Sequence, residues 1–248
     1  MLILQILVNI AQIIGIKSII YAKHTIFAAI KPLAYLYQYK MKELLRFGIV
    51  PIEFDVLVAM LSNYHSPKDK ISLLEKSGSL IRLKKGLYVV SSELSQQKLS
   101  RELVANHLCS PSYVSLESAL SFYGLIPEKV YSVRSVTTKR AKQFATVLGN
   151  FEYLTIPEAY YAIGVRQEIV NNEYAFLIAT PEKAIADMIL TTRNFRIQSV
   201  KAMKAFLEDD LRIDLSVIKT YNSEIIRNCM EAGLKKMELS FLLKLLEQ

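Results

Sequence analysis

The chain has 248 residues, 31 Lys+Arg against 23 Asp+Glu, and a formal net charge of +8. That length holds one large domain or two small ones, each with its own core. An apolar share of 52% excludes a disordered chain, and 8 Gly with 7 Pro exclude a collagen-like polymer. Two cysteines, Cys109 and Cys229, exclude a disulfide scaffold and a multi-thiolate zinc site. His24, His65 and His107 join no cluster at metal-ligand spacing, so neither a metal nor a cofactor is expected. The basic surplus points to an anionic partner.

Residues 1–40 are a different kind of sequence. They hold Lys17, Lys23, Lys31 and Lys40, half of the net charge, and no acid. Leu2–Ile16 is nearly all apolar, with Gln5, Asn9 and Gln12 as one weak polar stripe on a helix. No positive charge precedes this run, as a secretory signal requires, and Lys17 cuts it short of a spanning helix. Three readings stay open: a membrane or interface anchor, an extra packed helix, or translation that starts at Met41. A cytoplasmic protein is expected, with membrane association only if residues 1–40 are translated.

Residues 41–91 read as a winged helix-turn-helix. Phe54, Leu57, Val58 and Leu61 recur at helical spacing. After Asn63-Tyr64-His65, Ser66 is positioned as a helix cap, with Pro67 in the first turn and Asp69 three residues on. Gly78 stops that helix, whose apolar side is Ile71 and Leu74 with Leu73 beside them. Leu80–Val90 then reads as a hairpin turning at Lys84-Lys85-Gly86, with Arg82 and Lys84 sharing an outer face. Residues 68–86 carry a local charge of +4. A short capped helix fits the DNA major groove, and a basic wing reaches the neighbouring backbone. The candidate DNA-binding residues are therefore Ser66, Lys68, Lys70, Ser72, Lys76, Arg82, Lys84 and Lys85. The same order of elements also serves protein interaction, and basic hairpins are often merely solvated.

Residues 92–248 read as a mixed α/β unit with a helical C-terminus, which makes the chain α+β. Ser91–Gln97 is polar and reads as a linker; Leu99–Leu108 and Ser115–Tyr123 read as helices, with a turn at Ser110-Pro111-Ser112. Val130–Thr138 reads as a strand, Phe144–Ile156 as a hairpin, and Ala175–Ile178 as a further strand. Thr180-Pro181 opens a helix, and from Ile197 onward the pattern is helical in about four segments.

Five blocks in this stretch resemble the AbiEi antitoxin family of type IV toxin–antitoxin, abortive-infection systems. They are Ser112–Leu120, Tyr123–Glu128, Ser135–Arg140, Gly149–Tyr153 and Ala179–Ala184. The resemblance covers about residues 45–210. It implies an N-terminal winged helix-turn-helix that represses its own operon at inverted repeats, as a homodimer on double-stranded DNA. It also implies a C-terminal antitoxin domain that counteracts an AbiEii-like nucleotidyltransferase toxin. The basic cluster Arg134, Lys139, Arg140 and Lys142, with Thr137 and Thr138, is the candidate antitoxin surface. It reads equally as a solvated edge guarded by charge.

No Gly-rich phosphate loop, nucleophile elbow or His-plus-carboxylate pattern is present, so no catalytic residue is expected. The alternative is a nucleic-acid-processing enzyme of phage defence, in which Glu117, Glu152, Glu182 and Asp187 would have to converge.

Overall fold

A computed structural model describes residues 44–247 except Lys129, Phe195, Lys219 and Leu234. The readings of residues 1–40 and of the start at Met41 lie outside the described residues.

The chain is α+β, with two sheets among the described residues. Strand β1 is only Ile52–Glu53, and it passes directly into helix α1, Phe54–Met60. A turn leads to helix α2, Pro67–Lys76. The proline sits in the first turn, where its missing N–H costs nothing. Ser66 has extended backbone but makes no side-chain cap, contrary to the reading of its hydroxyl. Gly78 ends the helix at φ +73°, a conformation that L side chains resist.

Strands β2 (Leu80–Lys84) and β3 (Leu87–Val90) form the hairpin, and β1 adds to the other edge of β3. Every residue of β3 is buried. The register shifts between Arg82 and Lys84, so the two cations do not share one regular outer face. Helix α2 packs on β2.

The polar stretch read as a linker instead forms helix α3, Ser92–Ser95, with Ser91 accepting from the Leu94 N–H. Helix α4, Arg101–Leu108, follows, capped by Ser100 through the Leu103 N–H at 3.1 Å. Then come β4 (Ser112–Val114), α5 (Leu116–Phe122), β5 (Ser132–Thr137), β6 (Lys142–Thr146) and β7 (Gly149–Thr155). Helix α6 (Glu158–Tyr161), β8 (Val165–Val170), β9 (Tyr174–Ala179) and α7 (Pro181–Thr191) complete the mixed region. The six-stranded sheet has the order β6-β7-β5-β4-β9-β8. Pairs β5–β7 and β4–β9 are parallel and the rest antiparallel.

Alternation along the central strands sends neighbours to opposite faces. Tyr153 reaches towards α4, where its hydroxyl donates to the Ala105 carbonyl at 2.6 Å. Its register partners are Ser135 and, beyond that, Val114. Tyr113 points the other way, to Asp187 of α7. The sheet is thus a middle layer between α4 and α7. Helices α8 (Val200–Ala205), α9 (Leu215–Ile218), α10 (Ser223–Ala232) and α11 (Lys236–Leu246) finish the chain, and α10 and α11 pack against each other and against α7. One π-helical turn, Phe206–Asp210, follows α8 directly.

Leu83, Leu87 and Val89 of the small sheet lie in the same apolar core as Leu103, Val104 and Leu108 of α4. Residues 49–248 accordingly form one compact unit. No helix among the described residues is long and apolar enough to cross a membrane.

Candidate nucleic-acid interface

Helix α2 sorts its residues cleanly. Ile71 and Leu74 are buried against the small sheet's side of the fold, while Lys68, Asp69, Ser72, Leu73 and Lys76 are exposed. Positions 69, 72, 73 and 76 follow the i, i+3, i+4, i+7 spacing of one helix face. Leu73 therefore belongs to the outer stripe, at 57% exposure, and not beside Ile71 and Leu74 as its sequence position suggested.

The eight candidate residues separate into three groups. Lys68, Lys76, Arg82 and Lys85 have exposed side chains, as does Ser72, whose hydroxyl donates to the Lys68 carbonyl at 3.1 Å. Ser66 is half-buried, and Lys70 lies over the Tyr64 ring, 5.2 Å from its centroid. Lys84 stands apart. Its ammonium turns inward, donates to the Leu108 carbonyl at 2.8 Å, and lies 6.0 Å from the Phe144 ring centroid. Lys84 is thus engaged within the protein, unlike Lys85 beside it. A cation held at the carbonyl end of α4 satisfies a group that the helix itself leaves open.

The second candidate surface separates in the same way. Arg134 forks onto both oxygens of Glu117, at 2.7 and 2.6 Å, and onto Glu152 at 3.1 Å. It is a clamp between α5, β5 and β7, its guanidinium held by two carboxylates. Thr137 is buried and donates to the Pro111 carbonyl at 2.6 Å; Thr138 is half-buried. Lys139 is exposed yet its ammonium reaches the Ser110 carbonyl. Arg140 and Lys142 are exposed at the start of β6.

The four carboxylates that an enzyme would need do not converge. Glu117 and Glu152 share Arg134, while Glu182 accepts from the Asn222 N–H at 2.8 Å. Asp187 is wholly buried, accepting from Ser115 at 2.6 Å and Tyr113 at 2.9 Å, with Lys183 at 3.1 Å. Lys183 is equally buried; it donates to the Tyr160 carbonyl at 2.8 Å and sits 3.4 Å from that ring's centroid. Burial pushes the Asp187 carboxyl up, against the opposing pull of Lys183 and the two hydroxyls. The Tyr113 and Tyr160 hydroxyls are pushed up too, first by burial and then by the Asp187 charge. The network ties α7 to β4 through Tyr113 and to α6 through the Tyr160 carbonyl. Sequence reading singled out Asp187 but not Lys183, although the two stand at i, i+4 on one helix, a spacing that favours ion pairs.

The chain matches no family model and no curated protein.

Proposed function

We propose that the chain is a DNA-binding regulator, with residues 41–91 acting as a winged helix-turn-helix and the rest as an antitoxin unit of the AbiEi kind. The observation that carries this is the outer face of α2. A ten-residue helix backed by buried Ile71 and Leu74 turns polar and basic residues outward, with Arg82 and Lys85 exposed on the following hairpin. The helix enters a major groove of duplex DNA, and the four exposed cations meet phosphates. Action is by occupancy of an operator, as a homodimer at inverted repeats, in the cytoplasm and without a catalytic step. The antitoxin part rests on the five resembling blocks, with Arg140 and Lys142 as the outward cations that a toxin or its nucleic-acid target would meet.

A salt titration of duplex binding tests the first part. Four neutralised phosphates give a slope of log affinity on log salt of about −3.6. A slope near zero, or no duplex binding, ends the reading. Co-production with a nucleotidyltransferase-like toxin of the AbiEii kind tests the second: growth is rescued by the intact chain, and failure of rescue removes the antitoxin role.

A further inference from the structure

The stripe on α2 has a composition that phosphate contact does not explain. Phosphate contact has no use for Leu73, the apolar residue on an otherwise polar stripe, and gains nothing from Asp69, a first-turn acid that also suits the helix dipole. Both make sense against base edges. The major groove offers one apolar group, the C5-methyl of thymine, and its donors are the exocyclic amines of cytosine and adenine. Resting on the DNA-binding reading above, we propose that Leu73 is a specificity-determining residue that packs on a thymine methyl, with Asp69 accepting from a neighbouring base amine.

The surroundings select this occupant. Lys68 and Lys76 bracket the stripe at its two ends, and residues 68–86 carry a local +4, so the leucine is presented inside a cationic frame that suits an anionic duplex. The Ser72 hydroxyl donates to the Lys68 carbonyl at 3.1 Å, which leaves its oxygen facing outward as an acceptor. Asp69 would be repelled by a phosphate, which places it over the groove floor and the two lysines over its walls.

The experiment uses the full chain. Duplexes are selected from a library with a random core, and each thymine of the selected sequence is then replaced singly by deoxyuridine, which lacks only the methyl. At one thymine per half-site the affinity of the unaltered protein falls about fourfold, the value of one methyl group. Leu73→Ser binds the thymine and deoxyuridine duplexes alike, with an unchanged unfolding midpoint. If the unaltered protein ignores every methyl, or Leu73→Ser keeps the same methyl dependence, the assignment of Leu73 is overturned while DNA binding stands. If no duplex is enriched, both fall, and a protein partner for the stripe takes their place.

Discussion

The Lys84 ammonium and the Leu108 carbonyl meet at 2.8 Å, across two parts of the chain that the sequence suggested were separate. Leu108 is the last residue of α4, so the cation lies at the negative end of that helix. The hairpin tip is thereby held to the six-stranded sheet's covering helix, and only Lys85 of the turn's lysine pair faces outward. Lys84→Met is expected to cost about 1 kcal/mol of stability, the modest value of a half-exposed charged hydrogen bond. It leaves the salt slope of DNA binding unchanged, whereas Lys85→Ala lowers the slope by about 0.9. Urea unfolding and salt titration of the two variants check this. Identical behaviour would contradict the geometry.

Arg134 makes the same point for the second surface. Its fork on Glu117 and Glu152 ties α5 to β5 and β7. Arg134→Lys keeps the charge but loses the planar fork, and is expected to lower stability by about 1 kcal/mol after allowance for partial exposure. Any antitoxin activity survives in this variant at a temperature where it stays folded. Arg140→Ala with Lys142→Ala shows the opposite pattern, with normal melting and reduced rescue of growth.

Lys183→Met leaves the buried Asp187 carboxylate without its cation. Removing one partner of such a pair costs about 3–5 kcal/mol, since the other charge stays desolvated. Thermal unfolding reads the loss directly. Replacing Lys183 without measurable destabilisation would mean that Asp187 is already neutral, consistent with the upward push that burial gives it.

His107 supplies a pH dependence. Burial lowers its pKa from 6.5, Glu53 opposes this, and the Lys84 charge adds to the lowering. A depressed value in the folded state means that the neutral ring is favoured there. Its stability contribution is complete above pH 6.5 and drains away as pH falls through the lower folded value. Urea midpoints from pH 7.5 to 5 should therefore fall more steeply for the unaltered protein than for His107→Gln. Parallel curves would count against it.

What the sequence disclosed was what its local chemistry controls. Thr180-Pro181 forecast the start of α7, and Thr180 does accept from the Lys183 N–H. Gly78 forecast the end of α2. Strand β8 went unread because it is an edge strand in which Arg166, Gln167 and Glu168 interrupt the apolar alternation, and among the described residues it pairs only with β9. Three-residue β4 was too short to register as a pattern. Site residues failed where the partner is distant. Nothing near Lys84 names a carbonyl at position 108, and nothing near Arg134 names Glu117 and Glu152 as its acceptors. Leu73 was misplaced because a leucine beside two buried apolar neighbours looks like core until the helix phase is fixed.

The pairing of Val114 with Ile178 sets an order of events during synthesis. A growing polypeptide exposes β4 at the ribosome long before its parallel neighbour exists, so the middle layer stays open until residue 178 has emerged. Because Leu83, Leu87 and Val89 join that layer's core, the packing of the small sheet waits as well. A nascent chain truncated before β9 would hold the α2 stripe on an unfinished support.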